Sequence, residues 1–159
     1  MNELLSIRPA HEGDLPFLVD CNAAMAWETE EKTLDRELLA RGTRAVFADP
    51  ARGFYRIAER QGRPLGCLLV TREWSDWRNG NWWWIQSVYV IADARRSGVF
   101  RALYADLESD ARSSEDVVGL RLYVEKENRA AQATYAALGL SDSGYLLLQS
   151  EFAGLDWSA

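Results

Sequence analysis

Two hydrophobic periods alternate along this chain. Short apolar or alternating runs read as strands, and longer runs with apolar positions three and four apart read as helices. A first strand is expected at 4–8. In EGDLPFLVDCNAAMAWE, Leu15, Leu18, Val19 and Ala23 recur at helical spacing, with Asp14 placed to cap and Pro16 tolerated in the first turn. After a polar seam, TEEKT, a second helix is expected from Thr33 or Leu34 to about Phe47, and DPARG reads as a turn. Strands follow at 54–59 and 64–73 around the turn RQGRP, and RNGN signals a hairpin because Asn-Gly suits a type I′ turn. The run at 82–91 is apolar on both faces, as a central strand is. A helix at about 98–113, a strand at 120–125 and the helix NRAAQATYAALG complete the pattern. That last helix has an Asn cap and a Gly stop. YLLLQSEF is expected to close the sheet. The order β-α-α-β-β-β-α-β-α-β is that of an α/β layered domain.

Composition narrows this only a little. The 159 residues favour one domain spanning 1–159. The net charge of −6 argues against a nucleic-acid partner, since phosphate contacts dominate that affinity. The two cysteines, Cys21 and Cys67, make neither a disulfide framework nor a metal-ligand spacing, and read as buried, inert thiols. With no apolar signal core and no membrane-length run, the chain reads as soluble, cytoplasmic and without a membrane partner. Seven tryptophans stand out, five of them between positions 74 and 84.

The chemistry concentrates in VYVIADARRSGVFRAL, where an apolar strand turns abruptly into Arg95-Arg96-Ser97-Gly98 and then a helix. The first N–H groups of a helix lack intrahelical partners and carry the positive end of its dipole. Such an end accepts anions. Gly98 allows close backbone approach, and Arg95, Arg96 and Arg101 add charge, so a pyrophosphate would fit. Neither a P-loop nor a Gly-x-Gly-x-x-Gly fingerprint is present. Alone, such a turn is more often a solvated basic corner.

Val88-x-Val90 before this turn, with Asn128 and Tyr135 on a helix after the next strand, resembles the GNAT superfamily of acyl-CoA-dependent N-acyltransferases. The resemblance implies a mixed, mostly antiparallel central sheet flanked by helices on both faces, and acetyl-CoA as acyl donor with no metal. It implies that Arg95, Arg96, Ser97, Gly98, Val99, Phe100 and Arg101 cradle the pyrophosphate of coenzyme A. Val88, Tyr89 and Val90 would run beside the pantetheine arm, Asn128 and Gln132 would hold its polar groups, and Tyr135 would protonate the leaving thiolate. Two letters depart from the family pattern. Phe100 stands where a small residue is usual, and Ala92 where proline is frequent. The ring of Phe100 must then point away from the phosphates, most simply into the core.

The acceptor is a small-molecule primary amine in this reading. The alternatives are a protein lysine or N-terminus, and a non-catalytic acyl-CoA sensor. A base must deprotonate the ammonium, and Glu73, at the end of a central strand, is the first candidate. Glu28, Glu30 and Glu31 between the first two helices, and Glu125, make an acidic mouth plausible. Gln86 would orient the amine, and Trp84 would lie beside it because period-two alternation puts Trp84, Gln86 and Val88 on one face. His11 falls in a surface turn and is set aside. Members of this superfamily are often dimers, so a homodimer with YLLLQSEF adding to a partner sheet is one option, though nothing in the sequence demands it.

Overall fold

The computed structural model describes residues 4–152. Five strands make one sheet in the order β1 (Ser6–Pro9), β2 (Phe54–Arg60), β3 (Arg63–Ser75), β4 (Gly80–Val90) and β5 (Val117–Leu122). The first three pairings are antiparallel and β4–β5 is parallel. This is the mixed, mostly antiparallel sheet expected.

Helices cover both faces. Helix α3 (Val99–Ser113) drives Val99, Leu103 and Leu107 into a core with Leu68, Val70, Trp83 and Ile85. Each such burial stabilises by roughly 1.5–3 kcal/mol. On the other face, α1 (Leu15–Glu30) packs Leu18 and Cys21 against Tyr55, Ile57 and Cys67, with α2 (Arg36–Ala48) alongside. Both cysteines are buried and free, and the neighbouring Cys21 thiol together with burial pushes the Cys67 thiol up. Helix α4 (Arg129–Ala137) is capped by Asn128, whose Oδ1 accepts from the Ala131 N–H at 3.1 Å. Among the described residues no helix is long and apolar enough to cross a membrane.

The structure corrects four sequence expectations. Asp14 stands at the α1 N-terminus but makes no cap bond. Its carboxylate is buried, and both oxygens accept from the Arg8 guanidinium at 2.7 and 2.8 Å. A charged partner outcompetes the helix amides there. Helix α2 begins at Arg36, because Asp35 accepts from the N–H groups of Glu37 and Leu38. The hairpin at RNGN is not type I′: Asn79 is left-handed at φ 44° but Gly80 is not, and Gly80 already pairs with Ser75. YLLLQSEF forms no strand; the chain leaves the core after Leu140, and 141–152 carry no regular structure.

Candidate functional site

One irregularity organises the site. The β3–β4 register pairs Leu68 with Val88 and Leu69 with Ser87, then Val70 with Ile85, leaving Gln86 as an extra residue on β4. This is a β-bulge. It breaks the alternation assumed from sequence. Val88 and Val90 pack against the α3-side core with Ile85, while Trp84 faces the opposite side, so Trp84 and Val88 do not share a face.

The bulge coincides with the end of the parallel ladder. Strand β5 stays paired with β4 only as far as Ile85 with Leu122. Beyond that point residues 86–90 keep β3 on one edge and lose β5 on the other. The orientation of their peptide groups follows from one bond. Ile91 N–H donates to Leu65 O at 3.0 Å, and in an antiparallel ladder bonded residues alternate. Tyr89 and Ser87 therefore bond to β3, whereas Val88 and Val90 turn their N–H and C=O groups to the open edge. Val90 O accordingly is free to accept from Arg95 Nε at 3.0 Å.

Between this edge and the chain that follows β5 lies a cleft of about 1210 Å³. Val88, Tyr89, Val90 and Arg95 line one wall, Glu125, Asn128 and Tyr135 the other, and Glu28 and Glu30 of α1 close one side. Gln86 also lines it; its amide donates to Thr71 Oγ1 at 2.8 Å. The Tyr135 ring meets Phe100 edge-on at 5.8 Å between centroids. Burial raises the Tyr135 phenol above its ordinary value, so it stays protonated at neutral pH. Phe100 packs its ring on the core and beside Tyr104.

The turn itself is built to leave amides open. Gly98 precedes α3 at φ 84° and no side chain caps the helix. Ser97 donates to Ala94 O at 2.6 Å and so is turned away from the first α3 amides. Val99 is buried in the core, while Arg96 and Arg101 are exposed. Arg95 reaches back over the Tyr89 ring and pairs with Glu28 at 2.6 Å, and Tyr89 Oη donates to the other Glu28 oxygen at 2.7 Å. The Tyr89 hydroxyl and Arg95 hold the Glu28 carboxyl below its usual range.

Several expected residues do not reach the cleft. Glu73 accepts from Trp84 Nε1 at 2.5 Å and pairs with Arg121 at 3.1 Å. Trp84 stacks on Tyr123 at 4.4 Å, and Arg121 lies over Trp82. Gln132 donates to the carbonyls of Glu125 and Lys126, bracing the loop before α4. Glu31 closes the end of α1 in a left-handed conformation, and Glu30 lines the cleft paired to Lys32 at 2.5 Å. Tyr123 and Glu127, passed over in the sequence, line the cleft. Their only signal was position, beside Glu125 and Asn128.

The comparisons with known proteins bear on the family and the fold. The model of the acetyltransferase (GNAT) family matches residues 16–140. A crystal structure of a possible acetyltransferase from Clostridium difficile 630 is 40% identical with a TM-score of 0.90, covering 96% of this chain and 100% of that one. A ribosomal-protein-alanine N-acetyltransferase from Brucella melitensis biovar Abortus 2308 shares the fold at 16% identity and a TM-score of 0.73, covering 94% of this chain and 100% of that one. An aminoglycoside N-acetyltransferase in complex with CoA shares it at 13% identity and a TM-score of 0.77, covering 95% and 97%. No curated protein matches the sequence. The family match and the 40% identical relative place this chain in the GNAT acetyltransferase family.

Proposed function

We propose that this protein transfers an acetyl group from acetyl-CoA to the primary amine of a small molecule by direct attack. The observation that carries the reading is the open edge of β4 past the Gln86 bulge, which lines one cleft with Arg95 and Tyr135 while the uncapped start of α3 follows Arg95 in the chain. Acetyl-CoA, when bound, supplies a thioester carbonyl activated toward an amine. The outward N–H and C=O groups of Val88 and the N–H of Val90 pair with the pantetheine arm as an added strand, the Val90 carbonyl being held by Arg95. An amide of the same edge donates to the carbonyl oxygen, where negative charge grows. The first α3 amides with Arg95, Arg96 and Arg101 receive the pyrophosphate. Asn128 keeps its amide nitrogen for the pantetheine arm while its oxygen caps α4. Tyr135 Oη donates its proton to the leaving sulfur. Glu73 is held by Arg121 and Trp84, so the ammonium gives its proton through water to the far wall. There Glu125 and Glu127 have no ion-pair partner among the described residues.

A second acceptor has one observation in its favour. The link between α1 and α2 is only residues 31–35, since α1 runs to Glu30, so this link forms no long loop over the cleft. One experiment separates the readings: thiol release from acetyl-CoA with a panel of small amines and lysine peptides, alongside calorimetric titration of acetyl-CoA. Turnover with small amines supports the first reading and turnover only with peptides the second. Binding without turnover leaves a sensor, and no heat at millimolar acetyl-CoA overturns all three.

A further inference from the structure

The acceptor end of the cleft follows from where the two central strands part. Their last pair is Ile85 with Leu122, and Gln86 bulges out of β4 immediately after it. With the cofactor along residues 88–90 and its pyrophosphate at the start of α3, the thioester stands at the bulge. The amine then enters from the side that the cofactor leaves open. Tyr123 is the first residue past that last pair, and it lines the cleft with Gln86 and Glu125.

Tyr123 is braced from behind. Its ring stacks on Trp84, with centroids 4.4 Å and planes 29° apart. Trp84 in turn donates from Nε1 to Glu73 at 2.5 Å, and Glu73 pairs with Arg121 at 3.1 Å. Yet Tyr123 remains 53% exposed, so much of a fixed aromatic ring stays open to the cleft. The wall it forms carries no unmatched charge. Glu73 is matched by Arg121, and the Arg121 guanidinium lies 3.9 Å from the Trp82 ring centre and 5.9 Å from that of Trp84, so the stack already holds its own cation. Met25, Leu34 and Leu39 add apolar lining from α1, the link and α2. The carboxylates that draw the ammonium are Glu125 and Glu127, which have no ion-pair partner among the described residues.

Resting on the function proposed above, we propose that Tyr123 is a specificity-determining residue and that the acceptor is a primary amine carrying a flat apolar ring. That ring stacks on the open part of Tyr123 while the amine meets the thioester. Trp84 is a positioning residue that acts through Tyr123. A site discriminates between acceptors by the contacts one makes and the other lacks. One aromatic pair gives a preference of about tenfold over an equally charged amine without a ring, equivalent to ~1.4 kcal/mol.

The test measures kcat/KM for acetyl transfer to phenethylamine and to butylamine, with calorimetric titration of acetyl-CoA, on the full chain and two variants. The wild type is expected to prefer phenethylamine about tenfold. Tyr123→Leu, which keeps an apolar side chain without the ring, is expected to bring the ratio near one. Tyr123→Phe is expected to retain it, with the circular dichroism and the acetyl-CoA affinity the same in all three. A ratio near one in the wild type, turnover of neither amine, a ratio that survives in Tyr123→Leu or one that disappears in Tyr123→Phe each overturns the assignment. A wild type that binds acetyl-CoA and acetylates both amines equally overturns this inference alone, whereas one that binds no acetyl-CoA overturns the function beneath it as well.

Discussion

Replacing Gly98 by alanine isolates the conformation of the turn. Gly98 holds φ 84° and ψ 4°. A Cβ built there meets nothing within 4 Å, so no clash contributes. The remaining cost is that of an L-residue in the left-handed region, roughly 1–2 kcal/mol. For a chain of this size a loss of 1 kcal/mol lowers Tm by about 2–4 °C. The chain can relieve that strain by turning φ at 98, which re-aims the first α3 amides. Gly98→Ala should therefore also weaken acetyl-CoA by about tenfold, equivalent to ~1.4 kcal/mol. Urea unfolding and calorimetric titration measure the two effects separately. An unchanged midpoint together with unchanged affinity would show that the left-handed turn holds nothing in place.

Three further outcomes follow from the same geometry. Tyr135→Phe should lower kcat by about 10²–10⁴ while leaving acetyl-CoA affinity intact; a wild-type kcat returns Tyr135 to packing against Phe100. The Arg8 guanidinium holds the Asp14 carboxyl below its usual range, so as pH falls the unfolded chain takes up that proton first. The stabilisation is complete above the unfolded value near 4 and fades below it. Asp14→Asn should cost about 2 kcal/mol at neutral pH and flatten that acid dependence, read by denaturant unfolding across pH. Gly119→Ala differs from Gly98→Ala in cause, because its Cβ would lie 2.5 Å from the Trp82 ring. It should destabilise by about 1–3 kcal/mol in the same unfolding assay, and a neutral result would refute the tight packing there.

What the sequence disclosed was local. The apolar runs of β2 to β4, the helix at about 98–113 and the Asn128 cap are decided within a few residues, and each was legible. What it concealed depends on partners far along the chain. The Gln86 bulge exists only in register with β3, carries no glycine to betray it, and reverses the face on which Val88 stands relative to Trp84. Glu73 resembled a free carboxylate until Arg121, 48 residues on, came beside it. Asp14 resembled a cap until Arg8 claimed both oxygens. YLLLQSEF has the composition of a strand, but the described chain gives it no neighbour to pair with. The oddity of Phe100 resolved into packing, since its ring rests on the core and meets Tyr135 edge-on.

Amide exchange at four adjacent residues tests the central claim most directly. Ser87 and Tyr89 bond to β3 and should be protected with or without ligand, whereas Val88 and Val90 face the open edge and should exchange fast in the free protein. Saturation with acetyl-CoA should slow Val88 and Val90 selectively. If all four amides behave alike, or Val88 and Val90 stay fast at saturation, the pantetheine arm does not run along β4.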